Sequence, residues 1–330
     1  MDIQLIKCHG SGNDFILIDE MEHDHQMTDQ DRENLAIALC DRKSSIGADG
    51  ILFVLESQQA AARMRVFNAD GSEASMCGNG LRCVARYICE KLSLSEVLIE
   101  TMKANLLVSQ EKEIYEGIPT YKVEISPVSF HLSDLPLNIE RAEKLINETV
   151  PELSDTIRFT AVAVPNPHLI AMVDTDQIIS NEQKVISEKV NMPNNLFPDG
   201  VNVSFVHPLG DKAIYVRTFE RGVGFTNACG TAMSASTLIY RMITKQSFET
   251  SIDVFNNGGM VRCVPHEVRK GQFKIDLIGN ATYVFKASIS VDLKTPDKFS
   301  VLSKEETDEQ VSYRNLEKYA QKVVDEHIFH

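Results

Sequence analysis

Arg65-Val66-Phe67-Asn68, followed nine residues after Asn68 by Cys77-Gly78-Asn79-Gly80, has a second copy in this chain. Arg217-Thr218-Phe219-Glu220 is followed at the same interval by Cys229-Gly230-Thr231-Ala232. Both pairs of segments are offset by 152 (217 against 65, 229 against 77). Upstream, Ala48-Asp49-Gly50-Ile51-Leu52-Phe53-Val54 resembles Pro198-Asp199-Gly200-Val201-Asn202-Val203 at an offset of 150. Three short matches in one order at a nearly constant offset point to an old internal duplication.

Each copy reads as the same local structure. Alternating apolar residues in Met64-Arg65-Val66-Phe67 and in Ile214 to Phe219 predict strands. Polar loops follow, from Asn68 to Ser75 and from Arg221 to Asn227. Helical spacing then sets in, at Leu81, Val84, Ala85 and Ile88 and again at Ala232, Ala235, Leu238 and Ile239. Each Cys-Gly pair therefore marks a loop turning into a helix. Further helices are expected near Asp29–Cys40 and Asn181–Val190, with short strands elsewhere. The expected fold class is α+β: two pseudo-symmetric lobes, each a mostly antiparallel sheet wrapped around a central helix. The N-terminal lobe is placed at 1–128, completed by strands from about 280–292, and the C-terminal lobe at 129–279. Residues 293–330 read as a charged, helical extension with an apolar stripe of Leu316, Tyr319, Ala320 and Val323.

At 330 residues the chain is long for one domain and comfortable for two, at roughly 150 residues each. Its 43% hydrophobic and 24% charged residues are ordinary for a globular protein. Lys plus Arg number 33 against 47 Asp plus Glu, a formal net charge of −14. Such a chain repels phosphate backbones and anionic lipid, so neither nucleic acid nor membrane is an expected partner. A small-molecule substrate is. Met1-Asp2-Ile3-Gln4 lacks a basic stretch leading into an apolar core, and no secretory leader is expected.

Seven cysteines, an odd number, suit free thiols in a reducing cytoplasm. Cys77, Cys83 and Cys89 are spaced by six, about 600° on a helix, so they diverge and no metal site is expected. Cys8, Cys40, Cys83, Cys89 and Cys263 are read as packing residues. Cys77 and Cys229 differ because of where they stand. A helix N-terminus offers unpaired N–H groups and a positive dipole end, which favour a thiolate and bind a carboxylate. Two such ends could share one substrate carboxylate with a sulfur on either side of its α-carbon. One thiolate would take the α-proton while the opposite thiol returned a proton to the other face, inverting that centre.

Met76-Cys77-Gly78-Asn79-Gly80-Leu81-Arg82-Cys83 and Ala228-Cys229-Gly230-Thr231 resemble the two catalytic signatures of the diaminopimelate epimerases. The resemblance extends, in order, through His9-Gly10-Ser11-Gly12-Asn13-Asp14-Phe15, Gly47-Ala48-Asp49-Gly50 and Phe67 to Glu73. It continues with Asn166-Pro167-His168 and Glu220-Arg221-Gly222. It implies an isomerase needing neither pyridoxal phosphate nor metal, with no cofactor, interconverting LL- and meso-diaminopimelate on the lysine and cell-wall route. It implies two similar lobes with the active site in the cleft between them, and a homodimer is possible. Cys77 and Cys229 would be base and acid, with His168 and Glu220 helping the thiols ionise. Gly78, Asn79, Gly230 and Thr231 would give N–H groups to the reacting carboxylate. Asn13, Asn68, Asn166, Asn202, Glu220 and Arg221 would hold the rest of the substrate, Arg221 gripping the distal carboxylate as a fork.

Departures from the family pattern fall at Ala232-Met233-Ser234, where Gly-Ala-Cys is usual, and at Gly50, where some members carry Gln. Other readings are a related two-thiol racemase of the histidine or proline type, and a non-catalytic amino-acid-binding protein. A redox sensor joining Cys77 to Cys229 is a third. Asn79 stands where proline racemases carry His.

Overall fold

The computed structural model describes residues 1–22, 25–135, 137–139 and 143–329. The chain begins with β1 (Asp2–Gly10), β2 (Asn13–Asp19), α1 (Asp29–Cys40), β3 (Gly50–Leu55), β4 (Ala62–Asn68) and β5 (Glu73–Ala74). It then enters α2 (Gly78–Leu92), followed by β6 (Glu96–Glu100), β7 (Asn105–Glu111) and β8 (Thr120–Ile125). Next come β9 (Glu148–Val150), β10 (Ser154–Val164), β11 (Asn166–Met172), α3 (Thr175–Ile179) and α4 (Glu182–Asn191). β12 (Asn202–Pro208), β13 (Ala213–Glu220) and β14 (Gly224–Thr226) lead into α5 (Gly230–Thr244). β15 (Ile252–Asn256), β16 (Gly259–Arg269), β17 (Gln272–Asn280), β18 (Thr282–Ser290), β19 (Ser300–Glu306) and α6 (Glu309–Ile328) complete it.

Two compact units result, one of residues 1–123 and 278–315 and one of 124–277 and 316–330. In the first, β1 and β2 are antiparallel, β2 and β3 parallel, β3 and β4 antiparallel, and β4 and β6 parallel. The second repeats this with β10, β11, β12, β13 and β15. Register agrees as well: Phe15 lies opposite Gly50 in one unit, His168 opposite Asn202 in the other, which makes Gly50 equivalent to Asn202 and corrects the offset of 150 that set it against Gly200. The fold is thus α+β, sheet-dominated and built twice on one plan.

α2 packs against β1, β2, β3, β4, β6 and β7, and α5 against the six equivalent strands of its own unit. A helix surrounded by sheet must bury every face. Gly230 to Arg241 are accordingly all buried, and small residues there let the strands come close. Ser234 and Thr237 satisfy their hydroxyls on backbone carbonyls one turn back, at 2.9 and 3.0 Å. Both helices are fifteen residues long, and both end at a left-handed residue, Ser93 and Lys245. β5 and β14 lie inside segments expected to be loops. Two and three residues are too few to show an alternating pattern.

Beyond 293 the chain forms β19, paired with β18, and α6. The buried stripe of α6 is Tyr313, Leu316, Ala320 and Val324, whereas Tyr319 is exposed. Gly50 has no room for a side chain, since a Cβ there would lie 2.5 Å from the Phe67 carbonyl oxygen. Gly50→Ala should therefore destabilise the protein by about 1–3 kcal/mol. Urea titration checks this, the expected result being a lower midpoint with an unchanged slope.

Candidate active site

In the first unit Cys77 caps α2 from an extended backbone, and its Sγ accepts the Gly80 N–H at 3.5 Å. Glycines let the helix start sit this close to its neighbours. A Cβ on Gly80 would strike Leu52 Cδ2 at 2.6 Å, and one on Gly10 would lie 2.8 Å from the Asn79 carbonyl oxygen. Asn13 Nδ2 donates to Asp49 Oδ2 at 2.8 Å, which turns its Oδ1 towards the helix. There Oδ1 accepts from Asn79 Nδ2 at 3.2 Å and lies 3.8 Å from Cys77 Sγ. Asp49 is held in turn, because Arg42 bridges it to Asp14 and buried Lys7 pairs with Asp14 at 2.5 Å. Burial raises the Asp14 carboxyl, but Arg42 and Lys7 overcome this and hold it down to about 2. Asn68 ends β4, exposed, with its Nδ2 on Ser72 Oγ at 3.0 Å.

In the second unit Cys229 caps α5 and is 8% exposed. Its Sγ lies 3.5 Å from Thr231 Oγ1, which is 3.1 Å from His168 Nε2. His168 is fully buried, and its Nδ1 has no hydrogen-bond partner. Glu220, at the end of β13, accepts from Thr226 Oγ1 at 2.5 Å, and its charge acts on Cys229. Asn202 Oδ1 accepts the Arg221 N–H at 2.9 Å, and Arg221 Nη1 donates to the Asp199 carbonyl at 2.7 Å. Asn166 opens β11 opposite Val164. Cys77, Asn13 and Asn79 thus form one cluster, and Cys229, Thr231, His168 and Glu220 another. Asn68 stands at its strand end outside the hydrogen bonds of the first cluster.

The thiols correct one expectation. Burial pushes Cys77 up to about 11, against the pull of the Gly80 and Asn79 N–H groups. Cys229 is pushed well above its ordinary value by burial and then by the Glu220 charge, with Thr231 and the Ala232 N–H opposing. Partial burial at Cys77 and nearly full burial at Cys229 outweigh the helix dipole, because protein surroundings solvate a thiolate less well than water does. His168 is lowered to about 3 by burial, Arg221 adding to the effect, so its ring is neutral. A high thiol pKa also makes the thiolate, once formed, a stronger base towards a weak carbon acid.

Sequence reading missed Asp49, Arg42, Asp14 and Lys7 as supports of Asn13. Their ion pairs join β1, β2 and the loop before β3, which sequence spacing alone does not bring together. Among the described residues no group of three His, Cys, Asp or Glu side chains is placed to hold a metal, and no helix is long and apolar enough to cross a membrane.

A family model described as diaminopimelate epimerase matches residues 5–125 and 160–284, well over half of the chain. The chain belongs to the diaminopimelate epimerase family. It is 52% identical over 320 residues to the diaminopimelate epimerase of Listeria innocua, covering 96% of each chain. It is 45% identical to that of Clostridium acetobutylicum, covering 98% of this chain and 96% of the relative. Among solved structures, a PhzF-family phenazine biosynthesis protein of Bacillus anthracis matches with a TM-score of 0.65 at 18% identity, over 88% of this chain and all of that one. A probable proline racemase of Agrobacterium radiobacter matches at 0.59 and 17%, over 89% and 95%. These two share the fold of the diaminopimelate epimerase family at low identity.

The neutral His168 makes a pH prediction. Its pKa is lowered in the fold, so unfolding takes up a proton at mildly acid pH. Its contribution is complete above about pH 6.5 and is lost as pH falls towards about 3. His168→Gln should make the acid limb of stability shallower by up to about 1.4 kcal/mol per pH unit in that window. Denaturant midpoints collected from pH 7 to 4 test this, parallel limbs for the two proteins being the contrary result.

Proposed function

We propose that this enzyme interconverts LL- and meso-2,6-diaminopimelate, serving lysine and cell-wall precursor synthesis, with Cys77 and Cys229 as its two proton-transfer groups. The observation that carries the reading is the repeated Cys N-cap: two thiols stand at equivalent positions of duplicated, buried helices in a chain of this family. A thiolate at one cysteine takes the α-proton, and the electron pair left on carbon delocalises into the adjacent carboxylate. A thiol at the other cysteine then gives its proton to the opposite face. In the reverse direction the roles exchange.

The N–H groups of Gly78, Asn79, Gly230 and Thr231 in the first helical turns are the donors suited to that carboxylate as its charge grows. Asn13, oriented by Asp49, offers its Oδ1 beside Cys77 and keeps the thiol form favoured until substrate arrives. At about 3 the His168 imidazole is too weak a base to store a proton. Its part is to orient the Thr231 hydroxyl beside Cys229. The Glu220 carboxylate favours the protonated form of Cys229 and pairs with the distal ammonium, while Arg221 takes the distal carboxylate. Asn68, Asn166 and Asn202 fill out the amino-acid recognition. All seven cysteines are free thiols, which suits the reducing cytoplasm.

Cys77→Ala and Cys229→Ala should each lower kcat by at least about a hundredfold. Solvent deuterium incorporation into LL-diaminopimelate, run beside a panel of other amino acids, measures both the loss and the specificity. Near-native turnover in either variant would remove the two-thiol mechanism, and faster exchange into histidine or proline would move the substrate.

A further inference from the structure

Past residue 284, where the family model ends, the start of α6 is tied to the elements that carry Cys77 and Asn13. Glu309 and Gln310 make the ties. Arg86 lies on α2 nine residues beyond Cys77 and is nearly buried. Its Nη1 and Nη2 donate to the two carboxylate oxygens of Glu309 at 2.6 and 2.7 Å, and its guanidinium stacks on the Tyr283 ring at 3.7 Å. Glu309 also accepts the Tyr283 N–H at 2.9 Å. One carboxylate on α6 thereby joins α2 to β18.

Gln310 reaches the Asn13 turn. His9 Nε2 lies 3.0 Å from Gln310 Oε1, and the Tyr313 ring meets the imidazole edge-on at 4.4 Å. The ring's protonation follows from its other nitrogen. Gly12 N–H, which can only donate, points at His9 Nδ1 from 3.3 Å. Nδ1 is therefore the acceptor, the neutral ring carries its proton on Nε2, and Gln310 must present its oxygen. Burial lowers His9 to about 4 and keeps it in this form. The turn being held is costly at Ser11, which has a φ of 56°, whereas Gly12 takes its φ of 78° freely. The Ser11 N–H donates to Asn280 Oδ1 at 2.7 Å, and the hydroxyl accepts from Arg82, on α2, at 2.9 Å. The next residue is Asn13, whose Oδ1 faces Cys77 and Asn79.

We propose that Glu309 and Gln310 are positioning residues of the Cys77 half of the site: Gln310 sets the His9 ring that holds the Ser11-Gly12 turn and so aims Asn13, while Glu309 locks α2. The C-terminal extension is then a working part of the catalytic unit. This rests on the reading of Cys77 as one of the two proton-transfer groups.

The test uses the full chain with Gln310→Met, which keeps the volume and loses the acceptor, and Glu309→Gln, which keeps the shape and loses the charge. kcat, KM and the melting midpoint are measured, together with iodoacetamide labelling of Cys77 and Cys229 at pH 9, read by peptide mass. For Gln310→Met, kcat/KM should fall about ten- to a hundredfold, mainly in kcat. Labelling of Cys77 should rise at least about threefold relative to Cys229 in the same molecule. Native kcat/KM with an unchanged Cys77-to-Cys229 ratio would overturn the proposal. So would lost activity in which both labelling rates rise together as the midpoint falls, which marks general loosening. If Gln310→Met does not fold, the same readouts on Glu309→Gln decide. Full turnover by Cys77→Ala would instead refute the catalytic reading itself, whatever the labelling ratio shows.

Discussion

A helix buried on every side leaves one place where its backbone can meet a ligand, the unpaired N–H groups of its first turn. α2 as far as Arg86 and α5 as far as Arg241 are such helices, and much else about the chain follows from enclosing them. Gly10, Gly50 and Gly80 sit where strands and helix start come too close for a side chain. Ser234 and Thr237, buried in α5, turn their hydroxyls back onto helix carbonyls. Each unit ends up presenting a cysteine and a short row of amide donors at one point, with sheet closing off the rest.

Duplication supplied this arrangement twice, and later divergence gave each copy its own polarity. Equivalent strand positions carry Asn13 and Asn166, Phe15 and His168, Gly50 and Asn202, Asn68 and Glu220. Around Cys77 the near neighbours are neutral amides, and the charges stand behind them as the Lys7, Asp14, Arg42 and Asp49 network. Around Cys229 an ionisable ring and a carboxylate come close. A repeat that binds a symmetric part of a ligand has no reason to differ between copies. One that must tell the two ends of a substrate apart does.

The duplication, the α+β class and the placing of both cysteines at helix starts were legible because each depends on local pattern: a repeated spacing, period-two strands, a Cys-Gly step before an apolar helical run. The stripe of α6 was half legible. Leu316 and Ala320 are buried as read, but Tyr313 and Val324 replace Tyr319 and Val323, since one position of rotation decides which residues face inward. What spacing could not show is how side chains from distant segments settle on one another. Asp49 was visible in a motif, yet its hold on Asn13 depends on two loops meeting. Gln310 is 301 residues from the histidine it bonds.

The thiol acidities were misjudged for a related reason. A helix dipole can be read from sequence, whereas burial depends on everything packed around the sulfur, and at both cysteines burial prevails. The result still suits the chemistry. An α-hydrogen of an amino acid is a very weak acid, and a thiolate whose conjugate acid sits near 11 accepts it with less uphill cost than one tuned to neutrality. Creating that thiolate then becomes the difficult part. The enclosed site leaves substrate charge as the natural counterweight, because an ammonium brought next to a buried sulfur favours its ionised form. On the proposed two-thiol reading, the base becomes strong only when the amino acid that needs it is in place.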